Sequence, residues 1–559
     1  MDATTKMTGH VCSPRAWRLI VALVGAAVLA GYLAHVAYFW PHINDDAFIT
    51  FRYSRFLALG RGPHFNPGEH VEGYTNFSLM LLMAGFIHLF GPDDVLLAAK
   101  LTGAAGGIAA ILAAWALCTR WLRQVESCAA AAPLVGWAAG AIVAADAAFA
   151  LNSTTGLETT LFAAAIALGL WLDQKARDQR RWRGAGLLYA FGALTRPEGA
   201  GVFAAVALAR LVTLDFVERP RRRALLLDLG IVAVFLAGHL TFRLAVYDGE
   251  WLPNTYYAKA GGFWKLTPTG YISGYAQRHL GAVLALLPLL AMIAGPRQLR
   301  NATLPALLVL VAAVGAIFAA GPDWMLGYRL LAPYTPVWAA LAVCGLVMLL
   351  ARLRVPRAGV TVGAAALVLL LAVWQAPTRV GYHEHVVTRA QGYRTGHRAL
   401  ARWLNRNASP GQTVALMDIG IVGYECIDLR ILDITGLTDR CIARSPGEFL
   451  HKDFDPAYVL GQRPEFLVLV FTGPIEPGQI DIRNLQPWTP IEERIFESPD
   501  FARHYFRQRP VPRRAGMLKR LAAMIGAEAV FSHAHPGNIH YLLAVYRRAD
   551  AAAPAEPGE

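Results

Sequence analysis

The chain has 559 residues, 55% of them hydrophobic and only 16% charged, with 52 Lys and Arg against 39 Asp and Glu and a formal net charge of +13. Soluble domains carry about 25% charged residues, so this composition excludes an ordinary soluble enzyme and points to a polytopic membrane protein. The positive charge gathers in short joints between apolar runs, where the positive-inside rule places it. It needs no nucleic-acid partner to account for it, and the cysteines show no CxxC or ligand-like spacing that would mark a zinc site.

In chain order, a polar stretch with Lys6, Arg15 and Arg18 precedes an apolar run over residues 20–40. That run is long enough to span and lacks a small-residue cleavage site, so it reads as a retained helix with its start in the cytoplasm. Further spans are predicted near residues 95–118, 133–150, 157–172, 225–246, 279–294, 303–320, 330–350 and 360–374. The joints between them hold Arg120 and Arg123, residues 175–183, residues 219–223, Arg297 and Arg300, and residues 352–357, together sixteen Lys and Arg. Placing every joint inside leaves the apolar stretch 76–90 unable to span, so it reads as a helix lying in the outer interface. Residues 184–214 run between two inside joints and are broken by Thr195-Arg196-Pro197-Glu198-Gly199. They read as two half-length helices. Charge at that depth survives where it is buried in protein or lines a wet cavity, which makes Arg196 and Glu198 candidate site residues. The alternative is a structural ion pair at a kink.

On this topology the outer face collects four polar segments. The first, residues 42–76, carries adjacent Asp45 and Asp46, then Arg52, Glu72, Tyr74 and Asn76. A plainer reading has Asp45 capping a helix that starts near Ala47. The others are residues 152–160 with Glu158, residues 247–278 with Asn254, Tyr256 and Lys259, and residues 321–329 with Asp323, Trp324, Tyr328 and Arg329. Beyond residue 376 the chain changes character. Residues 377–550 read as a soluble α/β domain outside the membrane, with a helix over 393–407 and strands over 413–417, 466–471 and 540–547. Residues 551–559 read as a disordered tail. Cys426 and Cys441 are the two cysteines of that domain, and an oxidising compartment predicts a disulfide between them worth about 3 kcal/mol. No Gly-rich fingerprint opens a helix, so a nucleotide-sugar donor finds no cradle.

The series DDAFITFRY, FNPGEHVEGYTN, GLETTLF, LTRPEG, PNTYYAK and GPDWMLGYR resembles the polyprenyl-phosphate-dependent GT-C glycosyltransferases. It is most similar to the mycobacterial-type terminal arabinofuranosyltransferases and their bacterial relatives, over residues 17–376. The resemblance implies a fold of about ten spanning elements plus juxtamembrane helices, with the α/β domain following. It also implies a polyprenyl-phosphate sugar donor, arabinofuranose first, with transfer to a hydroxyl of an envelope glycan, lipid or protein outside the bacterial inner membrane. By the same resemblance a first-loop aspartate, Asp45 or Asp46, is the base.

The chemistry of the residues agrees. A carboxylate beside the acceptor hydroxyl takes its proton and favours the positive sugar. Asp45 is the first choice and Asp46 the second, unless the two share a proton or a divalent cation such as Mg or Mn. Arg52, Arg196, Lys259 and Arg329, with Tyr256 and Tyr328, are the candidates for the donor phosphate. Glu72, Tyr74, Asn76, Glu158, Glu198, Asn254, Asp323 and Trp324 are the candidates for the sugars. Two other readings stay open: transfer of a hexose or aminoarabinose to lipid A or protein, and a lipid-linked saccharide transporter. A transporter should show two matching broken helices, and the sequence shows one.

Overall fold

The structure, a computed structural model, describes residues 13–126, 128–259, 266–474, 484–512, 515–536 and 539–551. Most of the predicted tail lies outside them.

Helix α1 (Pro14–Tyr38) begins where Ser13 caps it and Pro14 occupies the first turn. Two short helices follow, α2 (Asp45–Ala58) and α3 (Phe77–Phe90). At 1.5 Å per residue the 14 residues of α3 reach only about 21 Å, short of the roughly 30 Å hydrocarbon layer. The bundle continues through α4 (Val95–Leu122), α5 (Ala132–Ala145), α6 (Ala147–Asn152), α7 (Thr159–Gln179), α8 (Ala185–Thr195), α9 (Gly199–Val212) and α10 (Arg219–Val246). It closes with α11 (Asn254–Lys259), α12 (Pro268–Tyr275), α13 (Leu287–Ala294), α14 (Arg297–Ala320), α15 (Thr335–Arg352) and α16 (Arg357–Trp374). Among the described residues six helices are long and apolar enough to cross a membrane, seven if the pair around α12 and α13, bent by 96°, is one span. The protein is a multi-pass α-helical membrane protein.

The interrupted segment folds as the charge pattern requires. α8 and α9 form a helical hairpin whose tip is Arg196, Pro197 and Glu198. The two arms are in backbone contact: a Cβ on Gly199 would lie 2.5 Å from the carbonyl carbon of Gly192, so glycine is required there. The base of the hairpin is held among the Arg-rich joints. Arg210 meets Asp173 at 2.9 Å and Asp228 at 3.2 Å, and Arg177 meets Asp215 at 2.7 Å, all of these side chains at most 7% exposed. Arg177 also donates to the carbonyl of Asn301. The joints therefore lie together at one end of the bundle, and the sheet domain lies at the other.

The chain leaves α16 through α17 (Ala376–Thr395) and α18 (His397–Asn407) and enters a mixed sheet. Its strands are β1 (Thr413–Leu416), β2 (Arg430–Asp433), β3 (Phe466–Pro474), β4 (Gln486–Pro487), β5 (Ala529–His535) and β6 (Ile539–Arg547), in the order β2-β1-β3-β6-β5 with β4 beside β3. β1 is parallel to β2 and β3, whereas β3, β6 and β5 run antiparallel. Phe466 to Phe471 is an unbroken buried apolar run, as a central strand covered on both faces needs. The sequence reading found β1, β3 and β6 but not β2 or β5. Their surroundings are supplied by distant parts of the chain, and neither alternates clearly.

The sheet core does not stop at the membrane domain. Ile49, Tyr53, Phe65, Tyr74, Met80, Tyr247 and Ala258 belong to the same buried cluster as the strands. Helix α19 (Ile419–Glu425), between β1 and β2, lies directly on α2: a Cβ on Gly420 would fall 2.0 Å from the carbonyl oxygen of Asp45. Cys426 and Cys441 do not form the predicted disulfide. Both are free thiols, Cys426 buried against the carbonyl of Ala401 and Cys441 exposed on a short helix.

Candidate active site

Helix α2 starts because Asn44 accepts the amide of Asp46 on its side chain at 3.2 Å, and two carboxylates in the first turn suit the positive end of a helix. Successive residues on a helix point about 100° apart, and Asp45 and Asp46 consequently face different surroundings. Asp45 is buried and turned to the sheet domain, where its carboxylate accepts the amides of Gly420 (2.9 Å) and Ile421 (2.7 Å). The first choice for the base is thus engaged in holding two domains together. The carboxylate of Asp46 has no hydrogen-bond or ion-pair partner among the described residues. The charges around it are Lys259, Arg329, Asp323 and Arg389. Burial raises the Asp46 carboxyl above the ordinary carboxylate range, against the pull of Lys259 and Arg329. The neighbouring Asp323 goes the other way: burial opposes its charge, but Arg329 and Lys259 hold it below that range.

Behind Asp46 stands a connected polar network. Thr50, one turn on, donates to Asn76 (3.0 Å), and Asn76 donates to Glu158 (2.8 Å). Arg196 at the hairpin tip reaches Glu158 (3.3 Å), Glu198 (2.6 Å) and the backbone carbonyl of Arg329 (3.3 Å). Arg329 in turn is paired with Asp323, whose other oxygen accepts the amide of Met325 at 3.0 Å. The half-helix hairpin therefore positions the loop that carries Arg329. Lys259, at the end of α11, is solvent-accessible, lies over the ring of Phe449 and forms no ion pair among the described residues.

A model of a domain of unknown function (DUF8728) matches residues 382–512. No curated protein matches. The chain is similar to the crystal structure of ArnT from Cupriavidus metallidurans bound to undecaprenyl phosphate, at 15% identity and a TM-score of 0.50, covering 82% of this chain and 93% of that one. Lower-scoring similarities are to the Archaeoglobus fulgidus oligosaccharyltransferase (11% identity, TM-score 0.49, 93% of this chain and 88% of that one) and to arabinosyltransferase EmbB from Mycobacterium smegmatis (14%, 0.42, 73% and 45%). The fold is of the GT-C glycosyltransferase type.

Several predicted residues lie outside this group. Arg52 is fully buried and donates to the carbonyls of Phe65 (2.6 Å), Leu429 (2.9 Å), Cys426 (3.2 Å) and Gly423, which leaves nothing for a phosphate. Glu72 is paired with Arg243 at 2.5 Å, and the hydroxyl of Tyr74 meets that of Tyr247 at 3.0 Å. The Asn254 amide donates to the carbonyls of Gly436, Leu437 and Asp439. Tyr256 is exposed beside Tyr257, and Tyr328 lies among Tyr271, Tyr275 and His279. The residue the sequence reading missed is Arg389 on α17, which lies 5.5 Å from the Trp324 ring centroid and donates to Tyr393 at 3.1 Å. The signal for it was weak, one Arg in a polar helix beyond the last span. A divalent cation shared by Asp45 and Asp46 does not fit these residues: one carboxylate is engaged by two amides and the other is faced by cations. Among the described residues no three His, Cys, Asp or Glu side chains cluster as metal ligands.

Proposed function

We propose that the protein is a membrane glycosyltransferase that moves a sugar from a polyprenyl-phosphate donor to a hydroxyl of a cell-envelope acceptor, with Asp46 as the base. The observation that carries this reading is the Asp46 carboxylate, without a partner among the described residues and set among Lys259, Arg329, Arg389 and Asp323. The acceptor hydroxyl attacks the anomeric carbon and gives its proton to Asp46. The bond from that carbon to the phosphate oxygen breaks, and the polyprenyl phosphate leaves with the electron pair. The charge that grows on it falls to Lys259 and Arg329, and Arg196 fixes the Arg329 backbone through the carbonyl. The raised Asp46 carboxyl makes a stronger base than an exposed aspartate, while Asp323 stays ionised as the fixed partner of Arg329.

Undecaprenyl phosphate in the ArnT structure supports a polyprenyl carrier. The gathering of the Arg-rich joints at the far end of the bundle supports a cleft on the outer face of the inner membrane. Arabinofuranose is the sugar we put first, on the motif series of the first loop and the PNTYYAK and GPDWMLGYR segments. The test is incubation of purified protein with labelled polyprenyl-phospho-arabinofuranose, and with hexose and aminoarabinose donors, together with envelope acceptors. Transfer from the first donor supports the full reading, and transfer from another donor corrects the sugar. A folded protein that transfers from none of them overturns it.

A further inference from the structure

Lys259, one of the two cations assigned to the leaving phosphate, sits at the end of α11, a helix of six residues. Isolated helices shorter than about 12–15 residues are marginal, so this one must be held by its neighbours. Both of its ends are tied to the sheet domain. At the start, the Asn254 side-chain amide donates to the carbonyls of Gly436 (2.8 Å), Leu437 (3.0 Å) and Asp439 (3.2 Å), while its backbone N–H donates to the carbonyl of Glu72 (2.9 Å). At the other end, the last carbonyls of a helix have no partners within it, and a cation there is favoured. Lys452 meets that need. Its ammonium donates to the carbonyl of Tyr257 at 3.2 Å and to that of Ser445 at 3.3 Å. Lys452 is only 5% exposed and forms no ion pair among the described residues. Buried charges are ordinarily paired with an opposite charge, whereas this one is used on carbonyls. Between the two ties, Ala258 is fully buried in the core of the sheet domain. The loop that carries Lys452 is itself held, by the amide of Asp453 on the carbonyl of Pro446 (2.7 Å) and by Arg494 on the carbonyl of Lys452 (3.1 Å). The same loop supplies the ring of Phe449, over which the Lys259 ammonium lies at 5.6 Å. One short loop of the sheet domain therefore meets both the backbone of α11 and the side chain of Lys259.

We propose that Lys452 and Asn254 are positioning residues of the transferase, which hold α11 so that Lys259 meets the donor phosphate. The inference rests on the transferase reading, which gives Lys259 to that phosphate, but its test needs no turnover. Titration calorimetry on the full chain in nanodiscs would compare farnesyl phosphate with farnesol, and amide hydrogen exchange would follow Asn254–Lys259. Lys259→Ala is expected to weaken farnesyl phosphate at least tenfold and to leave farnesol unchanged. Lys452→Met should weaken farnesyl phosphate at least threefold, speed exchange over α11 at least tenfold, and leave farnesol unchanged. Lys452→Arg, which can still donate to both carbonyls, should restore affinity and exchange to within twofold of wild type. In the Lys259→Ala background, Lys452→Met should change phosphate affinity less than twofold, because the group it positions is gone. Asn254→Ala tests the same clamp from the other end of the helix, and it should reproduce Lys452→Met if that variant does not fold. Loss of phosphate affinity in Lys259→Ala, with none in folded Lys452→Met or Asn254→Ala, would overturn the clamp and leave the transferase reading standing. So would unchanged exchange over α11. Multiplied losses in the double variant would do the same, since Lys452 would then act on the phosphate by itself. Full phosphate affinity in Lys259→Ala would overturn the assignment of Lys259 to the donor, and this proposal with it.

Discussion

Two regions built from the same first loop use their polar groups in opposite ways. Along the seam with the sheet domain, both oxygens of Asp45 accept amides, the Arg52 guanidinium serves four carbonyls, and Asn66 pairs in both directions with the backbone of Ile431. At the other end of the same turn, among the described residues, the Asp46 carboxylate has no partner and Lys259 lies only over the ring of Phe449. At Asp45, Arg52 and Asn66 the seam is satisfied, which is how buried polar groups stabilise a fold. Asp46 and Lys259 retain unmatched charge, a state that burial disfavours and that a charged ligand relieves. Polarity and position in the chain do not distinguish a structural residue from a reactive one here. If Asp46 is the base, as we propose, the number of partners does.

The sharpest way to break this comparison is to neutralise the two neighbours separately. Asp46→Asn is expected to lower turnover by about 10²–10⁴-fold, the usual worth of a positioned base, with no loss of thermal stability. A variant within threefold of wild type in a single-turnover transfer assay would remove Asp46 from the reaction.

The next effect belongs to the seam. Arg52→Met removes a charged donor from several buried carbonyls and should cost about 3–5 kcal/mol, since each hydrogen bond to a charged group is worth about 1.5–3 kcal/mol and the losses are not additive. Turnover per folded molecule should stay within a few-fold, with stability followed by thermal unfolding in detergent. A stable Arg52→Met protein with poor donor affinity would return Arg52 to the phosphate site. A smaller seam effect is expected from Gly420→Ala, whose new methyl would overlap the Asp45 carbonyl. Overpacking of this kind costs about 1–3 kcal/mol. Loosening α19 from α2 should appear as faster proteolysis of the sheet domain.

Much of this was legible in the sequence because it depends on local or periodic signals. Apolar length and the Arg-rich joints locate the bundle, and a charged break in an apolar segment between two such joints predicts the α8–α9 hairpin. The arrangement of the site was less legible because it depends on rotation and on distant partners. Asp45 and Asp46 differ by one step around a helix, and what that step decides comes from Gly420 and Ile421, about 375 residues away. Arg52 looks like a phosphate ligand in the sequence because its carbonyl partners, Gly423, Cys426 and Leu429, arrive from the same distant segment. The predicted disulfide failed for a related reason: two cysteines fifteen residues apart say nothing about which way each points.

The last effect is a pH dependence confined to the seam. Burial is the largest influence on Asp45. Together with the nearby Asp418 it outweighs the opposing pull of His397 and of the Ile421 amide, and raises the carboxyl to about 6 from the ordinary 3.8. A carboxyl whose pKa is higher in the folded than in the unfolded chain binds more protons when folded between those two values. Protonation then favours the fold, so this contribution is greatest below about pH 4, falls as pH rises to about 6, and is level above that. His397, in contact with Asp418 at 2.9 Å, is also raised, so its contribution declines with rising pH in the same sense. Asp418 is lowered, and its own loss of stability comes on acidification below the ordinary aspartate range, outside this window. Asp45→Asn keeps an oxygen for one amide and has nothing to titrate. The difference in unfolding free energy, wild type minus variant, should therefore decline across pH 4–6 with a slope no steeper than about 1.4 kcal/mol per unit. Asp46→Asn should retain that decline. A difference that instead grows with pH would mean that the two amides of α19 hold Asp45 ionised against its burial, and the seam would then be a charged clamp at every working pH.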